Sequence, residues 1–257
     1  MRAVAELCSI TAMRAWIYSL GHALTGGPPD SGFLPRIAHD PALAVLAEDM
    51  EPVARVRAGI TACLRDPRTM REAEEEYARL YVGPQALPAP LWESVHLDPE
   101  HLLFGEITLE VRRYYARHGL SFAGRRTEPD DHIALELEFM WRLAARSGAL
   151  LENGGSGDAL ASFVSLCNAQ RDFLETHLLR WAPQSFALQL PHAHTDLYAG
   201  LARLIVDFLP SDAVLLAQLS TSPVNAAGKP CRKDRPANPR LGQPVGRSSA
   251  KLHRRTP

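Results

Sequence analysis

The chain has 257 residues, 46% of them hydrophobic. That is enough for one large domain or two small ones with a sizeable core, and no apolar run approaches the ~20 residues of a membrane-spanning helix. The net charge of −1 hides two unlike parts: residues 1–220 carry 19 basic and 28 acidic residues (−9), while residues 221–257 carry nine Lys/Arg and the single acid Asp234 (+8).

In the first predicted helix, Ile10, Met13, Ile17 and Leu20 form one apolar stripe. Glu6 and Arg14 interrupt the apolar stretches, so an amphipathic helix of a cytoplasmic protein is expected rather than an export signal. "PALAVLAEDM" and "PVARVRAGITACL" are short helical segments. "TMREAEEEYARLYVG" is rich in helix formers and stops at Gly83. A segment with prolines at Pro84, Pro88 and Pro90 follows, carrying an exposed-looking Leu91-Trp92 pair and Glu93.

"LDPEHLLFGEITLEVRRYYARHG" predicts a helix with Asp98 as N-cap and Pro99 at its first position, closing at Gly119. After the loop "LSFAGRRTE", helix restarts at Pro129 with Asp130 and Asp131 in its first turn. Ile133, Leu137, Met140 and Ala144 form the centre of one face, and Leu135, Phe139 and Leu143 flank it, which predicts a central position in a bundle. Two more helices follow the connector "LENGGSGD". No strand hairpin and no repeat is found. The expected fold is all-α: a single-domain helical bundle over 1–220 with a disordered basic tail over 221–257, too poor in large apolar residues to offset ordering entropy.

The four cysteines, Cys8, Cys63, Cys167 and Cys231, are scattered and form no C-x-x-C, so reduced thiols are expected. There is no phosphate-binding glycine loop and no nucleophile elbow. His132 and Glu136 share one side of a helix, and Glu93 and His96 form the sole Glu-x-x-His. These four would be the donors of a helical-bundle metalloenzyme, but the second Glu-x-x-His of a di-iron bundle is missing. The alternative is a binding surface. Leu91 and Trp92 would be apolar anchors, and Glu93, Glu128, Asp130 and Asp131 would be carboxylates for arginine guanidinium groups. No nucleic-acid partner is expected for the tail, which reads as a solvated basic segment.

"EYARLYVGPQALPAPLWESVHLD" resembles the Tyr-x-x-Leu-Tyr-x-Gly segment and proline-tryptophan loop of the TorD/DmsD/NarJ-type redox-enzyme maturation chaperones. "EPDDHIALELEFMWRL" is similar to their Glu-Pro-x-Asp-His signature and central helix. The resemblance covers roughly residues 5–215. It implies an all-helical, non-enzymatic cytoplasmic protein with no cofactor of its own. Such a protein would bind the twin-arginine signal peptide and the apo form of a molybdopterin oxidoreductase, with the Tat or cofactor-insertion machinery as further partners. It would be a monomer or a dimer. Carried over by position, the resemblance gives Trp92, Glu93, Glu128, Asp131 and His132, and together with Leu91 and Asp130 these are the residues expected to bind the peptide. The resemblance assigns motif roles to Tyr77, Leu80, Gly83, Pro88, Pro90, Ser94 and Pro129. Leu91 departs from the proline or aromatic often found there.

Overall fold

The structure is a computed structural model that describes residues 2–122, 128–152, 157–221 and 252–254; for 2, 3, 122 and 252–254 only the backbone is described. Proline-led caps divide its first half into short helices. Asp40 accepts from the Ala42 N–H at 2.9 Å to start α3 (Pro41–Asp49), and Asp66 accepts from the Arg68 N–H at 3.0 Å to start α5 (Pro67–Tyr81). Helices α1 (Arg2–Thr25), α2 (Leu34–Ala38) and α4 (Glu51–Arg65) complete this half.

Helix α8 (Ile133–Glu152) is buried all round over its first turns, from Ile133 to Trp141, and lies along α1. This is the central helix that the apolar pattern predicts, and the fold is all-α. Around it pack α7 (Glu106–Arg117), α9 (Gly157–Phe173), α10 (Leu179–Gln189) and α11 (Asp196–Thr221), with a π-helical turn at Leu174–Leu178 joining α9 to α10.

Two glycines set the crossing of α4 on α11. A Cβ on Gly59 would stand 2.4 Å from the Leu197 nitrogen, and one on Gly200 would stand 2.8 Å from the Val56 nitrogen. Both clashes are with backbone, which cannot rotate away. Gly59→Ala is therefore expected to lower stability by about 1–3 kcal/mol in chemical unfolding, while an alanine at the unobstructed Gly27 does not have this cost.

Three expectations are corrected. Asp98 and Pro99 do not start a helix. The short α6 (Glu93–Leu97) precedes them, and Asp98 Oδ1 instead accepts the Glu100 N–H at 2.8 Å in a local turn. His101 and Phe104 then take positive φ (54° and 63°), which no helix permits, and α7 begins only at Glu106. Strand is also present: β1 (Leu120–Phe122) pairs antiparallel with β2 (Leu252–Arg254). Among the described residues the tail thus pairs with the body at β1, and the remainder of the expected disordered segment after Thr221 lies outside the described residues.

Arg14 is a third surprise. It reads as a polar break in α1, yet it is fully buried. Its Nε donates to Asp212 Oδ1 at 2.5 Å and its Nη2 to Oδ2 at 2.9 Å, while the Tyr18 hydroxyl donates to Oδ2 at 2.6 Å. This network ties α1 to α11. Among the described residues no helix is long and apolar enough to cross a membrane.

Candidate functional site

The proline segment and the start of α8 are zipped together by backbone. The Glu93 N–H donates to the Asp131 carbonyl at 3.1 Å, and the Ile133 N–H donates to the Leu91 carbonyl at 2.8 Å, with Trp92 facing His132 as an antiparallel bridge. Two stretches nearly 40 residues apart thereby form one clasp. Asp131 locks it from inside. Its carboxylate accepts the Ser94 N–H at 2.8 Å, capping α6, and the Thr108 hydroxyl of α7 at 2.7 Å. Pro129 is buried behind it.

The clasp sorts the expected peptide-binding residues into two groups. Leu91 and Asp131 are buried, and so is Glu93, whose Oε2 lies 2.9 Å from His177 Nδ1. Asp130 is buried as well, and its Oδ2 accepts from Arg112 Nη2 at 2.6 Å and Nε at 2.9 Å. The expectation of Leu91 as an exposed anchor and of Glu93, Asp130 and Asp131 as free carboxylates is corrected. A two-stranded bridge buries alternate residues, and the acids are consumed by caps and ion pairs. Trp92, Glu128 and His132 remain half-buried. The Trp92 indole N–H donates to Glu128 Oε1 at 2.7 Å, and its ring meets His132 edge-on at 5.3 Å.

His132 Nδ1 accepts the Ala134 N–H at 3.1 Å, which fixes the neutral tautomer with the proton on Nε2. Burial, then the neighbouring His22, push its pKa down to about 3. Glu128 moves the other way, raised by desolvation and by the Asp131 charge against the Trp92 hydrogen bond. Among the described residues it forms no ion pair. The motif residues frame this region. Tyr77, pushed up to about 12 by burial and by the Glu128 charge, donates to the Thr25 carbonyl at 3.3 Å. Leu80 is core, and Gly83 ends the α5 segment at φ 100°, a conformation glycine adopts without Cβ strain. Pro88 and Pro90 are half-buried, and the Pro90 carbonyl faces His96 Nε2 at 2.7 Å. Ser94 is fully buried.

The four donors of the metalloenzyme alternative do not converge. His132 turns to Trp92, and His96 stacks on Trp181 at 5.0 Å. Among the described residues no group of three or more His, Cys, Asp or Glu could hold a metal ion. The Glu136 carboxyl, fully buried, lies near Glu93 and the Trp181 indole, but among the described residues neither of its oxygens reaches a partner at regular hydrogen-bond geometry. Burial, then the Glu93 and Asp131 charges, hold it protonated well above the usual carboxylate range. The folded chain thus keeps a proton that the unfolded chain releases, and stability falls as pH rises above the ordinary carboxyl pKa. Glu136→Gln is expected to raise Tm by ~2–4 °C at about pH 8 and to leave it unchanged at about pH 4 in thermal unfolding.

Sequence reasoning missed His177, Trp181, Thr108 and Arg112, all of which support the clasp. Their only signal is spacing: His177 and Trp181 are four apart, as are Thr108 and Arg112, which puts each pair on one helix face. It also missed the loop after α6, where Leu102, Leu103 and Phe104 are exposed in succession.

Residues 46–187 match the family described as "Nitrate reductase delta subunit". The chain is 34% identical over 131 residues to the Tat proofreading chaperone DmsD of Salmonella typhi, covering 51% of this chain and 55% of that protein. It is 33% identical over 135 residues to the probable Tat proofreading chaperone DmsD of Haemophilus influenzae, covering 52% and 57%. To the chaperone protein TorD of Vibrio cholerae serotype O1 it is 29% identical over 149 residues, covering 58% and 64%. The matched stretch thus spans somewhat over half the length of these relatives. The family match holds the clasp, α8 and the supporting His177 and Trp181 within its limits, and the chain belongs to this family of TorD-like proteins.

Proposed function

We propose that the chain is a non-enzymatic cytoplasmic chaperone. It binds the twin-arginine signal peptide of a molybdopterin oxidoreductase and holds the apoenzyme during maturation before Tat export. The observation that carries this reading is the clasp, where the half-buried Trp92 indole N–H donates to Glu128, a carboxylate that forms no ion pair among the described residues, while Leu102, Leu103 and Phe104 in the loop after α6 are exposed. Acid beside apolar surface suits a segment in which arginines precede an apolar run. The names of the similar proteins, Tat proofreading chaperones, support the same reading.

In this reading Trp92, Glu128 and His132 touch the peptide, and Glu128 is the first carboxylate an arginine meets. Asp130 is reached by exchange with Arg112. Leu91, Glu93 and Asp131 act as positioning residues that hold Trp92 in place. The −9 charge of residues 1–220 speeds encounter with a basic peptide and makes association salt-sensitive. The test is affinity capture with the full chain from cytoplasm. A molybdoenzyme precursor with its signal intact is expected to co-purify, and the same precursor lacking the signal is not. Equal recovery of both would overturn signal recognition.

A further inference from the structure

The connection from α7 to the signature contains a strand that already has an occupant. Leu120 lies opposite Arg254, Ser121 opposite His253 and Phe122 opposite Leu252. Glu128, the carboxylate bonded to Trp92, follows Phe122 by six positions in the sequence. A strand edge is a template for any extended segment: main-chain hydrogen bonds hold it, and side chains select it. The paired strand lies in the sequence Lys251-Leu252-His253-Arg254-Arg255, with a leucine two positions before two adjacent arginines. That is the chemistry of the peptide in the proposed function, carried on the chain itself. Charge agrees, with +8 on residues 221–257 against −9 on the body.

We propose that β1 is a docking edge for an extended basic segment and that Leu252–Arg254 is its tethered occupant, which a twin-arginine peptide displaces. This rests on the peptide-binding reading above. A ladder of three residues is too short to persist between separate molecules. Within one chain it does not dilute away, and opposite charge adds to it. It is therefore held yet displaceable. An incoming peptide binds only the fraction of molecules whose edge is open, so the tail sets a threshold that weak basic segments do not pass.

The test uses the full chain with Cys231→Ser, to remove the tail thiol, and Ser121→Cys with His253→Cys. Directly opposite strand positions lie within disulfide reach. Mild oxidation is expected to cross-link 121 to 253 within one chain about tenfold faster than 121 to a cysteine at Val245→Cys, because the former pair stands opposite in the β1–β2 ladder. Equal rates, or cross-links only between chains, would overturn the docking. The oxidised and reduced forms are then titrated with a labelled synthetic peptide carrying two adjacent arginines and an apolar run. The locked form is expected to bind about tenfold more weakly than the reduced form, and full-length Arg254→Glu/Arg255→Glu about threefold more tightly than the unaltered tail. Equal affinity of locked and reduced forms overturns the competition and leaves the proposed function standing. No binding by any form overturns both.

Discussion

Asp212→Asn is expected to cost about 3–5 kcal/mol of folding stability, because it strands the Arg14 guanidinium as an uncompensated charge in the core. Arg14 has no exposed surface, and among the described residues its Nη1 has no hydrogen-bond partner. Asp212 supplies the acceptors for its Nε and Nη2, and the Tyr18 hydroxyl shares one of them. The Asp212 charge, with its hydrogen bond, outweighs burial and holds the Arg14 pKa above its ordinary value. Asparagine keeps the shape and loses the charge. Denaturant unfolding reads the loss. The paired replacement Arg14→Met/Asp212→Leu is expected to recover most of it, since a buried ion pair is often matched by apolar groups of similar volume. A loss below about 1 kcal/mol for Asp212→Asn would show that water reaches the site.

Asp131→Ala is the second large effect, and it joins stability to binding. It removes the acceptor of two buried donors, the Ser94 N–H and the Thr108 hydroxyl. Two unsatisfied buried groups cost about 2–4 kcal/mol together. The clasp loses the cap of α6 and the tie to α7, so Trp92 is no longer held against His132 and Glu128. Affinity for a twin-arginine peptide is expected to fall at least about tenfold, below what the stability loss alone explains at temperatures where the variant is folded. Thr108→Val removes one donor with its acceptor left intact and is expected to cost about 1 kcal/mol with little change in affinity.

The parts of the fold legible in the sequence are those fixed by local rules. The apolar sides of "IALELEFMWRLAA" place α8 at the centre, and Asp-Pro pairs mark the starts of α3 and α5. The same Asp-Pro pattern misleads at Asp98. There the chain turns at His101, whose Nδ1 lies 2.6 Å from the Val95 carbonyl, a contact that spacing does not reveal. Arg14 is unreadable for a related reason: its partner Asp212 lies 198 positions away.

The candidate site divides similarly. Its two halves are visible as motifs, and the structure brings them together through the Leu91–Ile133 and Glu93–Asp131 backbone bonds. Which acids face outward is not visible. Asp131 as a cap, Asp130 with Arg112 and Glu93 with His177 depend on α7 and on the π-helical turn, far along the chain. Polar residues alone do not announce whether a carboxylate serves the fold or a ligand.

The most direct test of the central claim is calorimetric titration of the full chain with a twin-arginine signal peptide at low salt. Binding is expected to weaken at least about tenfold when the arginine pair becomes lysine, when Trp92 becomes alanine, and when Glu128 becomes glutamine. It is also expected to weaken as salt rises. The same affinity across all three changes, or no heat of binding with the unaltered peptide, would contradict the account.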